Sequence, residues 1–364
     1  MIGEVPKDLY SHFSLLAVPR FFFPGHLYHG PRALSFLKVW EGDFLMVASR
    51  GAWEKHGAHV AAHLASAPEH IFWVEKEPDT EIVHDLAGRL DEREYRYVIG
   101  FGGGSVMDVA KAARICRKEV KVILIPTTAG SGSEVSRYAL FINERKEKKP
   151  LVSSLLLPDT VLYDPSLLTS LPPEVTAYTS VDAYAHALEG LTSRLANLWS
   201  DAFAIRALEL IREYAPRAYR QPEDFEARTF LQLAGFLGGL VQSSASVGLI
   251  HGLADFFGPR YGVEHGRAIA AFLLPVMRLN VRKGADYYKK LKKEAGGVIT
   301  AARTFLGELG FIEGFAGNLF GGEVSLSDLS QFIQKDPAAR THPFAPTASD
   351  LEEILAAAGI RYGK

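Results

Sequence analysis

Short apolar runs alternate with stretches of helical spacing over the first half of the chain. Several of the runs have no polar face, as expected for parallel strands that helices cover on both sides. The predicted strands are Phe44–Ala48, Ile71–Glu75, Tyr97–Ile99, Lys121–Ile125 and Val161–Tyr163. The predicted helices between them are Val60–Ala67, Glu81–Leu90 and Met107–Ile115. This order predicts a doubly wound α/β domain, whose ligands bind at the carboxyl ends of the strands.

The pattern changes after Leu171, where two prolines suit the start of a helix. Beyond them no convincing strand is visible. The predicted helices are Glu174–Ser193, Ser200–Tyr214, Phe225–Leu240, Ile269–Leu279, Tyr287–Leu309 and Ser349–Ala358. We therefore predict two domains, a dinucleotide-binding α/β domain over residues 1–172 and an all-α, metal-binding domain over residues 173–364. A chain of 364 residues fits this division, since a domain typically has roughly 100–200 residues.

Composition excludes several classes of protein. With 48% hydrophobic and 23% charged residues the chain is neither disordered nor fibrous, and a net charge of −2 argues against a nucleic-acid partner.

The uncharged stretch Leu231–Ala254 is long enough to cross a bilayer. Its polar and glycine residues favour a buried helix and a turn instead, so no membrane partner is expected. Acidic Glu4 and Asp8 do not suit an export signal, and the single Cys116 suits a reducing compartment, which predicts a cytoplasmic location.

Two loops at strand ends have the composition of a cofactor crevice. The strand Tyr97–Ile99 leads into the glycine-rich Gly100–Ser105, and the helix that follows offers free N–H groups to a phosphate. The strand Lys121–Ile125 ends in the hydroxyl-rich Pro126–Glu134. One glycine loop alone is equally well explained as a tight turn. Two such loops can line one crevice, although the GxGxxG fingerprint is absent from the first strand.

Three histidines and one aspartate in the second half are candidate metal ligands. Asp182 and His186 are four residues apart in a predicted helix and so share one face, while His251 and His265 each precede a glycine. Three imidazoles and one carboxylate suit a divalent transition metal. A single histidine of this kind is more often a hydrogen-bonded core residue than a ligand, and Asp182 and His186 could simply share a hydrogen bond on the helix face. The spacing alone therefore leaves both interpretations open.

Four ordered motifs resemble the iron-containing (group III) alcohol dehydrogenases. They are Gly102–Lys111, Pro126–Val135, Asp182–Gly190, and the pair His251-Gly252 and His265-Gly266 with their fourteen-residue spacing. Pro78–Glu81 and Pro346-Thr347 also fit, so the resemblance extends from about Pro24 to Ala358. It implies a dinucleotide domain, a helical metal domain and an active site in the cleft between them.

The resemblance implies that Asp182, His186, His251 and His265 bind a metal, usually Fe(II), with Zn(II) in some relatives. Such a metal lowers the pKa of the alcohol, whose carbon then passes a hydride to the nicotinamide. The expected substrate is a small-molecule primary alcohol or aldehyde. The predicted cofactor contacts are Ser49, Arg50, Gly102, Gly103, Gly104, Ser105, Asp108, Thr127, Thr128, Ser131, Ser136 and Lys149. The resemblance also implies a homodimer, with which the apolar Phe21–Phe23 is compatible, although burial within one chain explains that segment equally well.

Two positions depart from the family pattern. The family often has a histidine four residues after the third ligand, where this chain has Asp255. On a helical turn Asp255 would face the cleft and orient a ligand imidazole or pass on the alcohol proton; the alternative is a solvent-facing residue without a role. Members that use NAD tend to have an aspartate after the first strand, where this chain has Ser49 and Arg50. A small residue beside a cation suits a 2′-phosphate, which predicts NADP(H) over NAD(H), unless Arg50 is simply a solvated loop cation.

Other functions remain compatible with these motifs. A dehydroquinate-synthase-like or glycerol-dehydrogenase-like metal enzyme that acts on a polyol shares the architecture. The first of these needs several basic residues around an anionic substrate, and only Arg260 and Arg267 stand out among the apolar residues near the metal motifs. We therefore predict an apolar cleft and a simple alcohol or aldehyde. A metal- and nucleotide-binding protein without activity is disfavoured because all four ligand positions are present.

Overall fold

The computed structural model describes residues 21–144, 148–285, 289–291, 294–312 and 315–363. The expectation that Glu4 and Asp8 exclude an export signal lies outside the described residues, as does the start of the predicted helix Tyr287–Leu309.

A parallel sheet of six strands forms the core of the N-terminal half. The strands of this half are β1 His26–His29, β2 Phe44–Ala48, β3 Ile71–Trp73, β4 Tyr97–Gly102, β5 Lys121–Pro126, β6 Tyr138–Ile142, β7 Lys148–Val152 and β8 Thr160–Tyr163. The sheet has the order β1-β8-β5-β4-β2-β3, while β6 and β7 form a separate antiparallel hairpin. All five predicted strands are present. The strands β1 and β7 were not predicted, because short, partly exposed strands with polar residues give no apolar run. The apolar β6 was not predicted either, and it pairs only within the hairpin.

Three helices follow strands of the sheet. They are α1 Arg50–Ala61, α2 Thr80–Asp91 and α3 Gly104–Cys116. The prediction of a helix over Val60–Ala67 was wrong, since α1 begins ten residues earlier and ends at Ala61. Only Gly57 and Val60 of this helix are buried, so it carries too little apolar periodicity to be located from the sequence.

The C-terminal half is helical, which together with the parallel sheet confirms the predicted fold class. Its helices are α4 Pro173–Thr192, α5 Leu198–Arg220, α6 Phe225–Ala245, α7 Leu249–Tyr261, α8 His265–Arg282, α9 Ala295–Glu308, α10 Leu326–Lys335 and α11 Ala348–Ala357. A two-residue parallel pair, β9 Val324–Ser325 and β10 Tyr362–Gly363, departs from the all-α expectation and is too short to leave a sequence pattern. The sheet ends at β8 and the long helices begin at Pro173, but one hydrophobic core contains buried residues of both halves. The domain boundary at residue 172 therefore stays a prediction.

The stretch Leu231–Ala254 is the end of α6, a turn and the start of α7. Among the described residues no single helix has the length and apolar composition of a membrane span. The pair α6 and α7 has both properties together, but the chain bends by 103° between these helices, near Ser246 with its φ of 63°.

Candidate metal and nucleotide site

Three helices bring the four candidate metal ligands together. Asp182 and His186 lie on α4, His251 lies in the first turn of α7, and His265 is the first residue of α8. Oδ1 of Asp182 is 3.5 Å from Nε2 of His186 and 3.4 Å from Nε2 of His251. The same oxygen is 3.7 Å from Nε2 of His265. One carboxylate oxygen is thus surrounded by three imidazoles.

These facing atoms have the properties of metal ligands. Within the described part of the chain, Oδ1 of Asp182 and Nε2 of His251 are buried and have no hydrogen-bond partner. A buried polar atom left unpaired costs about 1–3 kcal/mol. Asp182, His186 and His251 each offer one ligand atom within 4.8 Å of the others. A carboxylate and imidazoles with unsatisfied atoms aimed at one point fit Fe(II) or Zn(II).

The electrostatics of the cluster favour a cation. Burial lowers the pKa of His186 to about 4 and that of His265 to about 3, so both imidazoles are neutral and keep a lone pair. Burial would raise the pKa of Asp182, but the three histidines outweigh it and hold that pKa below its usual value. Burial also acts to lower the pKa of His251, yet the carboxylates of Asp182 and Glu189 raise it. The position between Asp182 and His251 therefore attracts positive charge.

A cleft of about 970 Å³ opens beside His265. It reaches from α8 to Ser105 of the glycine loop, so one space connects the ligand cluster with the predicted cofactor loop. Its charged lining residues are Lys76, Glu77, Asp79, Glu81, Glu144, Lys148 and Glu264. Most of the exposed lining is still apolar, and the charged side chains come from strand ends, a helix start and loops outside the metal motifs. Arg260 instead stacks on Phe256, with its guanidinium carbon 3.9 Å from the ring centroid.

The two predicted cofactor loops lie side by side. Gly102 ends β4, Gly103 precedes α3 and Gly104 begins it. The N–H of Thr127 donates to the carbonyl of Gly102 at 2.9 Å, which joins the loops directly. Oγ of Ser131 lies against Gly104, where a Cβ would come within 2.8 Å of it, so a larger residue would have to displace the Ser131 side chain. The first N–H groups of α3 therefore open beside a hydroxyl-rich loop, as a pyrophosphate site requires.

Other predicted cofactor residues line or support this crevice. The side chain of Thr128 lies against Gly103, with Cγ2 3.5 Å from the place of a Cβ. Asp108 and Ser136 are buried beneath the loops. The carboxylate of Asp108 accepts from the backbone N–H of Leu140 at 2.9 Å and from the hydroxyl of Ser133. Asp108 thus holds the second loop and the β6–β7 hairpin against α3, while the hydroxyl of Ser136 lies within hydrogen-bond distance of the carbonyls of Ser133 and Tyr138 between loop and hairpin.

Two family models match almost the whole described chain. Residues 24–165 match the model for iron-containing alcohol dehydrogenases, and residues 176–358 match the C-terminal model of the Fe-containing alcohol dehydrogenase family. The chain belongs to the iron-containing alcohol dehydrogenase family. This confirms the family that the four sequence motifs indicated.

Individual family members show how far the likeness extends. The 1-propanol dehydrogenase of Salmonella typhimurium is 35% identical over 228 residues, which cover 60% of this chain but only 62% of that protein. The NADPH-dependent butanol dehydrogenase of Clostridium saccharobutylicum is 30% identical over 302 residues, or 76% of this chain and 77% of the relative. The solved iron-containing alcohol dehydrogenase of Thermotoga maritima superposes with a TM-score of 0.80 at 26% identity, over 94% of this chain and 100% of that chain.

Asp255, where the family often has histidine, lies one turn after His251. Its Oδ1 is 3.9 Å from Nδ1 of His265, and its side chain is only 17% exposed. Burial raises the pKa of Asp255 to about 7, against the lowering effect of Lys148. The structure therefore places Asp255 beside a ligand histidine rather than in solvent.

The structure places Lys148, rather than the predicted Lys149, in the cleft of this family member. Nζ of Lys148 is 3.1 Å from Oε1 of Glu77, and its side chain is 13% exposed. Neighbouring residues of a strand point to opposite faces, and Lys149 is exposed. Which of the two lysines faces the cleft depends on the register of β7, and this register cannot be read from the sequence.

Ser49 and Arg50 lie at the carboxyl end of β2, next to the glycine loop. Oγ of Ser49 caps α1 by accepting the N–H of Ala52 at 3.4 Å. Nε of Arg50 forms a half-exposed ion pair with Glu75 at 3.0 Å, and its guanidinium carbon is 4.8 Å from the ring centroid of Trp73. The pairing of Glu75 with Arg50 was not predicted, because the two residues follow different strands.

Proposed function

We propose that this protein is a metal-dependent alcohol dehydrogenase or aldehyde reductase. It transfers a hydride between a primary alcohol or aldehyde and NADP(H). The observation that carries this proposal is the convergence of Asp182, His186, His251 and His265 beside a cleft that reaches the glycine loop. Membership of the iron-containing family supports a metal and a nicotinamide cofactor. Fe(II) is the proposed metal, and the same ligands also suit Zn(II).

The residues of this chain have separate tasks in that reaction. Asp182, His186, His251 and His265 hold the metal, which when bound polarises the oxygen of the alcohol or aldehyde. The first N–H groups of α3, exposed by Gly103 and Gly104, bind the pyrophosphate of the cofactor. The hydroxyl-rich loop, which the N–H of Thr127 joins to Gly102, then orients the rest of the nucleotide toward His265, because the glycine loop and this ligand border one cleft.

The charge of the cleft supports a neutral substrate. Five carboxylates and two lysines line it, which disfavours an anionic, polyhydroxylated molecule of the kind that a dehydroquinate-synthase-like enzyme takes. A small alcohol or aldehyde has no charge to be repelled. The printed names of the Salmonella and Clostridium relatives, for propanol and butanol, agree with this class.

The cofactor preference is proposed from the end of β2. Ser49 leaves space beside Arg50, whose guanidinium would contact a 2′-phosphate, and the Clostridium relative is named as NADPH-dependent. Glu75 works against this preference, since it already pairs with Arg50. We therefore expect a moderate preference for NADP(H).

Steady-state absorbance of the nicotinamide tests the proposed reaction. Protein loaded with Fe(II) or Zn(II) is given primary alcohols, their aldehydes and glycerol, each with NADP(H) and with NAD(H). A continuous change in absorbance with small primary alcohols or aldehydes supports the proposal. Turnover of a polyol without net change in nicotinamide would indicate the lyase class and contradict it.

We also propose a homodimer in the cytoplasm. Phe23 is 49% exposed, and Leu198 and Trp199 are 88% and 63% exposed, so apolar surface is available for a second copy. Phe21 stacks on Phe203 within the chain, with ring centroids 5.3 Å apart, so part of the predicted segment packs internally. Sedimentation should give a dimer that Trp199→Lys weakens, and a wild-type monomer would contradict the proposal.

The cytoplasmic location is proposed from Cys116, whose unpaired thiol agrees with a reducing compartment.

A further inference from the structure

Glu189 connects the helix that carries Asp182 to the helix that carries His251. It is buried on α4, seven residues after Asp182 and therefore on the same face of that helix. Its Oε2 accepts the N–H of Gly248 at 2.9 Å, and its Oε1 accepts that of Ile250 at 2.7 Å. Nδ1 of His251 donates to Oε2 at 2.6 Å. One carboxylate thus serves a ligand side chain and the backbone that carries it.

The start of α7 depends on this carboxylate. Its first N–H groups have no partner within the helix, and Gly248 has no side chain with which to cap them. A Cβ at Gly248 would lie 2.7 Å from Oε1 of Glu189, so a capping side chain at this position would collide with the carboxylate. The negative charge also suits the positive end of the helix dipole.

The same contact fixes the protonation pattern of His251. An ionised carboxylate only accepts hydrogen bonds, so Nδ1 of His251 carries a hydrogen, and Nε2 is the nitrogen left to bind a metal in place of a proton. Nε2 is buried without a partner among the described residues and lies 3.4 Å from Oδ1 of Asp182. A carboxylate behind an imidazole orients a ligand and increases its basicity.

We propose that Glu189 is a positioning residue for the metal, which it serves by fixing the tautomer of His251 and the first turn of α7. This inference rests on the proposed function, because it requires a metal held by Asp182, His186, His251 and His265. It adds a residue that touches neither metal nor substrate but determines how well one ligand binds.

Glu189→Gln tests the proposal, with Thr341→Val as the matched control. Glutamine has the same size but presents an NH₂ group to N–H donors. The hydroxyl of Thr341 donates to the carbonyl of Val247, so the control loosens the same turn without changing a group that contacts His251. For each protein we would measure the Co(II) dissociation constant by chelator competition, the Co(II) absorption spectrum, and the thermal unfolding of the metal-free protein.

Glu189→Gln should weaken Co(II) binding by roughly 10–100-fold and shift the absorption bands. Thr341→Val should lower the unfolding temperature while it leaves the affinity and spectrum unchanged. Wild-type affinity and spectrum in Glu189→Gln, or an equal loss of affinity in the control, would overturn the proposal. If Glu189→Gln does not fold, Glu189→Asp keeps the charge and withdraws it by one methylene; unchanged Co(II) binding there would overturn it too.

The outcome for the unaltered protein separates the two proposals. Absence of Co(II) binding by the wild type would refute the metal site itself, and the role of Glu189 with it. If the wild type binds Co(II) and Glu189→Gln binds it with the same affinity and spectrum, only the role of Glu189 is refuted.

Discussion

Replacing Glu75 by glutamine should increase the preference for NADP(H). In the wild type Nε of Arg50 is 3.0 Å from Oε1 of Glu75, and both side chains are more than half exposed. A 2′-phosphate that binds Arg50 must therefore displace this carboxylate or share the guanidinium with it. Glu75→Gln removes the competing charge and leaves the stacking of Arg50 on Trp73 in place.

The size of the effect follows from the exposure of the pair. A solvent-exposed ion pair is worth about 0.2–1 kcal/mol, whereas a charge-assisted hydrogen bond contributes about 1.5–3 kcal/mol. Competition from Glu75 leaves Arg50 a net contribution of about 0.5–2.8 kcal/mol, or roughly two- to hundredfold in affinity for NADP(H). Release of Arg50 should strengthen NADP(H) binding by up to about fivefold. NAD(H) has no 2′-phosphate, and its affinity should not change.

Fluorescence titration with NADPH and NADH measures both affinities. Ser49→Asp should weaken NADPH binding specifically, because aspartate caps a helix as well as serine does but repels the phosphate. Glu92→Gln is the control, since it removes a carboxylate from an exposed pair with Arg89 between α2 and the start of β4, away from the carboxyl ends of the strands. Equal or tighter binding of NADH by the wild type, or equal strengthening of both cofactors in Glu75→Gln, would refute the reasoning.

Three further substitutions address other parts of the structure. Asp255→Asn should reduce metal affinity or turnover by roughly 10–100-fold, because its carboxylate lies beside His265; unchanged metal content and pH–rate profile would show that it has no role. Gly266→Ala should cost about 1–3 kcal/mol of stability and lower metal affinity, since its Cβ would lie 2.2 Å from the carbonyl oxygen of Tyr178; wild-type metal binding would contradict this. Burial raises the pKa of Glu134 above 4.5, its ordinary value. Protonated Glu134 therefore stabilises the folded protein fully below pH 4.5, and this stabilisation is lost as the pH rises through the pKa that Glu134 has in the folded protein. Glu134→Gln should therefore unfold at a higher temperature than the wild type above neutral pH and at a similar temperature below pH 4.5 by calorimetry, and the opposite order would refute the sign.

The predictable part of the fold is its apolar interior. The central strands β4 and β5 are buried along nearly their whole length, and their apolar runs marked them in the sequence. The edge strand β1, His26–His29, contains two histidines and has no such run. It is a strand because β8 pairs with it, and pairing partners are not visible in a local pattern.

The candidate site likewise has a part that the sequence predicts and a part that only the structure shows. The clustering of the candidate ligands was predictable because Asp182 and His186 share a helix face and the motifs indicated His251 and His265. The role of Glu189 required knowing that α7 begins against α4. The competition between Arg50 and Glu75 likewise required the neighbouring positions of β2 and β3, which only the sheet order provides.

The metal content of freshly purified protein, compared with that of His265→Ala, tests the central claim most directly. We predict one divalent ion per wild-type chain and a joint loss of metal and turnover in the variant, because the four ligands converge on one point. Stripping the wild type with a chelator should abolish turnover, and added Fe(II) or Zn(II) should restore it. Full activity in thoroughly stripped protein, or unchanged metal content in His265→Ala, would contradict the account.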